Sequence, residues 1–139
     1  MRLLDLCPCS SQKAYQECCK PYHDGSLPED ALKLMRSRYS AYAMHKAGYI
    51  IQTTHPKNRA YEKDLIQWKK NILKFCSTTR FNGLEIIEFN DGHERAYVTF
   101  IAHLRNECGD ASFREKSTFE KVGDQWLYLA GEIGSMGSN

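Results

Sequence analysis

The sequence predicts an α+β fold, in which helices pack on one face of an antiparallel sheet, behind a small cysteine-rich knuckle. Four of the six cysteines lie between residues 7 and 19. Apolar residues recur at helical spacing from about residue 26 to residue 75, and the period changes to two from residue 81 onward. Short turns connect the later segments, as in an antiparallel meander. Helices first and strands afterwards are typical of an α+β domain.

Size and composition set limits on the function. The chain has 139 residues, which suits one domain with a short appendage. Its net charge of +2 is too small to imply a general polyanion binder. No apolar run approaches the roughly 18 residues of a membrane span. The first six residues are too short and too acidic for a signal-peptide core, so we expect a cytoplasmic protein with reduced thiols.

The cysteine cluster predicts a metal site. Its pattern is Cys-x-Cys, eight residues, then Cys-Cys, and the predicted ligands are Cys7, Cys9, Cys18 and Cys19. Zinc binds four thiolates in a tetrahedron, with sulfurs roughly 3.8 Å apart. Residues 7–9 form a tight turn in this prediction. A short helix, capped by Ser11 and stopped by Pro21, presents the last two cysteines.

The metal is most simply zinc, with iron as the alternative, because a four-sulfur site accepts both. Free thiols or disulfides are the other interpretations of the same cluster. Four sulfur ligands leave no position for water, so the predicted site is structural. Lys13 and Lys20 are the predicted cations that offset its negative charge.

Two helical stretches follow the knuckle. Ser26 and Glu29 form a predicted capping box with Pro28 in the first turn, and Gly48 is the predicted end of the first helix. Its apolar stripe is Leu32, Met35, Tyr39 and Tyr42. After the break at Thr54-His55-Pro56, a second helix is predicted at about 61–75.

Four strands complete the predicted domain. They cover residues 84–89, 96–104, 112–122 and 126–130, with turns at Asn90-Asp91-Gly92 and Gly123-Asp124 and a loop at 106–110.

These residues carry a resemblance to known proteins. Residues 7–19, with their Cys-x-Cys and Cys-Cys pairs, resemble the SEC-C motif, a zinc-binding segment found at the C-terminus of the SecA translocation ATPase. The YchJ-like bacterial family is resembled by four further segments, at residues 31–42, 54–56, 113–119 and 126–129. The resemblance implies a metal-binding knuckle at 1–25 and a cone-shaped nuclear-transport-factor-2-like domain at 26–133. The glycine and serine content of residues 134–139 predicts a disordered tail. It also implies pairing through the sheet, hence a homodimer.

The chain departs from the family pattern in two places. The motif usually has glycine where this chain has Ser10 and Gln12, which restricts the turn without removing a ligand. Many relatives carry a second SEC-C motif at the C-terminus, whereas no cysteine follows Cys108 here. A bridging role for a second knuckle is therefore not expected.

The function predicted first is a non-catalytic interaction module. In SecA the motif docks SecB and the ribosome, so the resemblance implies a protein partner for this knuckle, in export or translation. This inference rests on analogy, because a fold or motif does not fix function.

The alternative is a small-molecule-binding or catalytic cone. The candidate lining residues are Arg36, Tyr39, Tyr42, His55, Trp68, His103, Glu115 and Trp126. The aromatic residues are equally consistent with core packing, and Arg36 and Glu115 could form a buried ion pair. His55 is equally consistent with a histidine that fixes a loop by hydrogen bonds. No acid–base pair stands out.

A third hypothesis is nucleic-acid binding. Residues 57–74 contain six basic side chains and two acidic ones. A basic helix can follow phosphates, but such a run is also typical of a solvated helix face.

Overall fold

The computed structural model describes residues 5–134 and confirms the predicted α+β fold. Helices pack on an antiparallel sheet, and a cysteine-rich knuckle precedes them. The helices are a 3-10 turn at Tyr15–Glu17, α1 at Lys20–His23, α2 at Ala31–Ala43, α3 at Ala47–Gln52 and α4 at Leu65–Ser77. The strands are β1 at Arg80–Asn90, β2 at Arg95–Asn106, β3 at Gly109–Asp110, β4 at Phe113–Val122 and β5 at Gln125–Gly134.

The sheet is a meander in the order β1-β2-β4-β5, with the two-residue β3 paired to β2. Bulges interrupt the β1–β2 and β4–β5 pairings, and such bulges bend strands. The bent sheet faces α2, and the main core lies between them. Its fully buried members include Leu34, Val98 and Phe119. A second cluster, around Ile50, Trp68 and Ile72, packs α3 against α4.

Helix boundaries differ from the sequence prediction. Helix α2 begins after Asp30, whose side chain accepts a hydrogen bond from the Lys33 N–H, so the predicted capping box at Ser26 and Glu29 is wrong. Asp30 is the better cap because its carboxylate reaches a free N–H of the first turn. Helix α2 ends at Ala43, and Gly48 lies inside the separate helix α3.

Two other segments also differ. Helix α4 begins after Asp64, which caps it, rather than near residue 61. The predicted helix through Tyr15 to Cys19 is two short turns instead. Cys18 and Cys19 lie between these turns, and Pro21 lies inside the second turn, where its missing N–H costs nothing. The predicted tail 134–139 falls outside the described residues, apart from Gly134 at the end of β5.

The segment after α3 covers the outer edge of β5. Backbone bonds join Thr53 and His55 to Tyr128. The His55 Nδ1 accepts from the Lys57 N–H at 3.0 Å, so its Nε2–H donates to Glu120 on β4 at 2.7 Å. His55 therefore ties this segment to the sheet.

Candidate metal centre and cone pocket

Four sulfurs converge in the knuckle. The Sγ atoms of Cys7, Cys9, Cys18 and Cys19 all lie within 4.8 Å of one another. The Cys9–Cys18 and Cys18–Cys19 sulfurs are 3.6 and 3.9 Å apart. Four sulfurs on a tetrahedral zinc ion lie roughly 3.8 Å apart. The cluster could therefore hold a metal ion, and a soft four-thiolate set suits zinc or iron.

The local backbone explains how thirteen residues deliver four sulfurs. The Cys7 N–H bonds to the Lys13 carbonyl at 2.8 Å, which closes a loop around the first two cysteines. Ser10 and Gln12 have φ angles of 68° and 71°, in the left-handed region. These are the positions where the SEC-C motif usually has glycine, so the turn geometry is kept at a cost in backbone strain.

Each of the four sulfurs has a polar side chain beside it. The Ser40 hydroxyl lies 3.1 Å from the Cys7 Sγ and 3.3 Å from the Cys19 Sγ. The Ser11 hydroxyl lies 3.1 Å from the Cys18 Sγ. The Arg36 Nη1 lies 3.9 Å from the Cys9 Sγ. These groups suit thiolates, which accept hydrogen bonds and carry the charge of the site.

Sequence reasoning missed this arrangement. We predicted that Lys13 and Lys20 offset the charge of the cluster, but Lys20 bonds to Asp24 at 2.6 Å and Lys13 is exposed. Arg36, which we predicted in the cone pocket, donates to the Cys9 carbonyl at 2.8 Å and is the cation nearest to the cluster. The docking of the knuckle on α2 is a long-range contact, and nothing in the sequence signals it.

Thiol protonation is uneven within the cluster. Hydrogen bonds from Cys19 and Cys7 hold the pKa of Cys9 well below that of a free thiol. The same type of bond, to Cys7 and Cys9, raises the pKa of Cys19. Burial raises the pKa of Cys18 to about 11. Since metal binding requires thiolates, binding releases these protons, and affinity falls as the pH falls.

The knuckle is fused to the helical wall of the cone. The His23 Nε2 donates to the Ser37 carbonyl on α2 at 2.8 Å, and its Nδ1 therefore accepts from the Tyr15 hydroxyl at 2.7 Å. The Leu84 N–H on β1 donates to the Ser10 hydroxyl at 3.0 Å. The knuckle thus contacts both the helix layer and the sheet edge.

A pocket of about 160 Å³ lies between α2, α4 and the concave face of the sheet. Of the predicted lining residues, it brings together Tyr39, Tyr42 and Glu115. The Tyr39 hydroxyl also donates to the Gly83 carbonyl at 2.7 Å, and burial raises the pKa of Tyr39 to about 12.

The other predicted lining residues lie elsewhere. Arg36 faces the knuckle and His55 ties the segment on β5. Trp68 packs between α3 and α4. His103 lies 3.3 Å from Glu85 at an exposed position. Trp126 is buried in the main core, outside the pocket lining.

Arg38 is the charged pocket residue that sequence reasoning missed, along with the polar Ser117 and Tyr128. It lies on the same helical stripe as Met35 and Tyr42, three and four residues away, so the helical period could have found it. It is 6% exposed, and its guanidinium carbon lies 4.7 Å from the centre of the Tyr128 ring.

Three of the six basic residues of the nucleic-acid hypothesis lie on helix α4. Lys69, Lys70 and Lys74 lie on the exposed side of α4, opposite the buried Trp68 and Ile72.

None of the helices among residues 5–134 has the length and apolar composition that a membrane span requires.

The cone and the knuckle together define the class of protein: an NTF2-like domain that carries an N-terminal SEC-C knuckle. Residues 30–131 match the family described as the middle NTF2-like domain of YchJ, and the chain belongs to this YchJ-like family. A UPF0225 protein of Serratia proteamaculans (strain 568) is 36% identical over 140 residues, which cover 97% of this chain and 88% of that protein.

Two solved structures are similar over both parts of the chain. The solution structure of a SEC-C motif containing protein from Rhodopseudomonas palustris has a TM-score of 0.80 and 30% identity, and the match covers 93% of this chain and 98% of that one. The crystal structure of a SEC-C motif containing protein from Psychrobacter arcticus has a TM-score of 0.77 and 28% identity, with 98% and 86% covered.

Proposed function

We propose that this protein is a zinc-binding interaction module, which docks a protein partner through the outer face of its knuckle. One observation carries the proposal. A cleft of about 370 Å³ lies between the knuckle and β1, and Leu6, Pro8 and Phe81 line it. Leu6 is 63% exposed there. Apolar side chains exposed around a cleft mark interaction sites more often than isolated ones do.

The sheet edge beside this cleft favours an extended segment of the partner. Strand β1 pairs only with β2 among the described strands. Ser10 and Tyr39 use the backbone groups of Leu84 and Gly83, and the rest of the outer edge keeps free backbone donors and acceptors. An extended peptide can add to such an edge, with backbone hydrogen bonds for affinity and a nearby pocket for side-chain selection. The metal holds the knuckle against this edge, so docking depends on the metal.

The test has two stages. Protein purified without added metal is expected to contain about one zinc ion per chain, lost in the Cys18→Ser, Cys19→Ser double variant. Purified ribosomes and SecB, the partners that the motif resemblance implies, are then tested for binding by sedimentation and by calorimetry. Leu6→Glu tests the cleft, with Leu27→Glu as the matched exposed control.

Loss of binding in the cysteine and Leu6 variants, but not in the Leu27 variant, would support docking at this cleft. Binding that survives metal loss would count against a role for the knuckle. If neither partner binds the metal-loaded protein, docking in export or translation is wrong.

A second function, small-molecule binding in the cone, is favoured by the polar end of its pocket. A filled hydrophobic cone needs no charges, yet Arg38 and Glu115 both line the pocket and are 6% and 9% exposed. Burying charges is costly unless hydrogen bonds or a partner of opposite charge compensate. Retention of a ligand through purification, detected by mass spectrometry of denatured protein, would support this second function. Thermal stability that does not respond to any small-molecule library compound would refute it.

A further inference from the structure

The polar end of the cone pocket is built around Glu115. Its Oε2 accepts from the Ser117 hydroxyl at 2.6 Å and from the Tyr128 hydroxyl at 2.7 Å. Burial and the Glu115 carboxylate raise the pKa of Tyr128, so its hydroxyl remains a donor. Gly131 faces this pair, and a Cβ there would overlap both the carboxylate and the Tyr128 hydroxyl. The missing side chain at Gly131 therefore leaves the space that the carboxylate and the hydroxyl occupy.

These two hydrogen bonds leave Oε1 of Glu115 as an available acceptor. Both hydrogen bonds to Glu115 from the described part of the chain end on Oε2. A carboxylate can accept about four hydrogen bonds through its two oxygens. An oxygen with spare acceptor capacity at a pocket wall selects an O–H or N–H donor.

Arg38 supplies the opposite polarity. Its Nη1 donates to the Ile50 carbonyl at 3.1 Å, to the Thr53 hydroxyl at 2.7 Å and to the Thr54 hydroxyl at 3.2 Å. These bonds hold the guanidinium in place against Tyr128 and use only one of its three nitrogens. The remaining N–H groups can donate to an acceptor in the pocket.

The two charges border the same pocket without forming an ion pair. Among the described residues, no Arg38 nitrogen lies within 4.0 Å of a Glu115 oxygen. Tyr128 lies between them: its ring faces the Arg38 guanidinium, and its hydroxyl donates to Glu115. A ligand that donates to Glu115 and accepts from Arg38 would satisfy both.

The rest of the pocket sets the size and shape of the ligand. The apolar walls include Phe75, Phe81, Phe100 and Phe113. The volume is about 160 Å³, and an apolar protein cavity of about 150 Å³ holds one benzene molecule. Aromatic walls favour an aromatic ring, by edge-to-face or offset contacts.

We propose that the cone binds a neutral, single-ring aromatic compound with adjacent donor and acceptor groups, of the aromatic carboxamide class. The ring lies among the phenylalanines, the ligand N–H donates to the Glu115 Oε1, and the ligand carbonyl accepts from Arg38. The inference rests on the second function proposed above, that the cone binds a small molecule, and its test requires no partner at the knuckle.

Three single-ring probes test it: benzamide, benzoate of the same size and the apolar toluene. Each is titrated into the ¹⁵N-labelled metal-loaded protein and followed by amide chemical shifts. We expect benzamide to bind at least tenfold more tightly than toluene. Benzoate should also bind at least tenfold more weakly than benzamide, because its carboxylate would face Glu115.

Glu115→Gln inverts the polarity at one atom. Ser117 and Tyr128 both donate to the Oε2 position, so the amide oxygen of the variant occupies it and the NH₂ group takes the place of Oε1. The variant should lose at least tenfold in benzamide affinity and gain affinity for benzoate. Glu85→Gln, on the outer face of the sheet, is the matched control and should leave all three affinities unchanged.

The outcomes separate the two proposals. Equal affinities for toluene and benzamide in the wild-type protein would overturn recognition by the Glu115–Arg38 pair and leave the cone as an apolar binding pocket. No shifts with any probe would overturn both the ligand class and the small-molecule function. The wild-type comparison needs no variant, so a misfolded Glu115→Gln protein would not prevent a decision.

Discussion

Replacing Ser40 with alanine tests whether α2 belongs to the metal centre. The Ser40 side chain is fully buried, and its hydroxyl lies 3.1 and 3.3 Å from two of the four sulfurs. A hydroxyl has one proton, so the variant loses one hydrogen bond to a thiolate. A hydrogen bond to a charged group contributes about 1.5–3 kcal/mol. Sulfur is a weak acceptor, which places the loss near about 1.5 kcal/mol, or roughly tenfold in the zinc Kd.

The assay is a zinc titration in competition with a chromophoric chelator at fixed pH. Ser37→Ala is the matched control. Ser37 is equally buried on the same helix, and its hydroxyl bonds to the Leu34 carbonyl and the Tyr49 hydroxyl instead of to sulfur. Both variants lose stability, but only Ser40→Ala should raise the zinc Kd about tenfold, as loss of a partner to a metal ligand typically does. A Ser40→Ala Kd within twofold of the wild-type value would refute the reasoning.

Three further predictions concern the knuckle turn at Gln12, the strand residue Gly131 behind Glu115, and Glu120 on the sheet. Gln12→Gly should raise the free energy of unfolding of the metal-loaded protein by up to about 1 kcal/mol, because φ is 71° there; an unchanged or lower value in chemical denaturation would contradict the strain. Gly131→Ala should cost about 1–3 kcal/mol by displacing Glu115, whereas Gly48→Ala, on an open helix face, should be neutral or stabilising in the same assay. Hydrogen bonds from its arginine and histidine partners lower the pKa of Glu120. The contribution of Glu120 to folding stability is therefore present above the unfolded pKa of about 4.3 and lost as the pH falls through the lower folded pKa. Glu120→Gln should remove part of the acid sensitivity of unfolding below about pH 5, and an unchanged pH dependence of unfolding would contradict this.

Local signals predicted the elements better than their boundaries. The change from helical to alternating periodicity placed every strand except β3, because that signal comes from burial on one face. The helix starts failed where two caps competed. Ser26 and Glu29 match a capping box, but Asp30 lies closer to the first buried residues, and Glu29 instead accepts from the Tyr22 hydroxyl. Such competition depends on tertiary contacts that spacing does not reveal.

The four cysteines of the candidate metal centre could be predicted because they lie close together in the sequence. The groups that support them could not. Arg36 and Ser40 reach the cluster from α2. Arg36 lies 27 residues from Cys9, and Ser40 lies 33 residues from Cys7 and 21 from Cys19. In the cone, the assignment of Arg36 instead of Arg38 was a helical-phase error of two residues, or about 200° around the axis.

Helix α2 connects the two candidate sites directly. Its Arg36 and Ser40 side chains contact the knuckle, while Arg38 and Tyr42 line the pocket. A helix moves as a rigid unit over this length, because its backbone hydrogen bonds join successive turns. A shift of α2 when the knuckle loses its metal would therefore move Arg38 relative to Glu115, which stays on the sheet. The benzamide titration of metal-free protein measures this coupling: a weaker benzamide affinity would mean that the metal sets the pocket geometry, and an unchanged affinity would mean that packing against the sheet alone holds α2 in place.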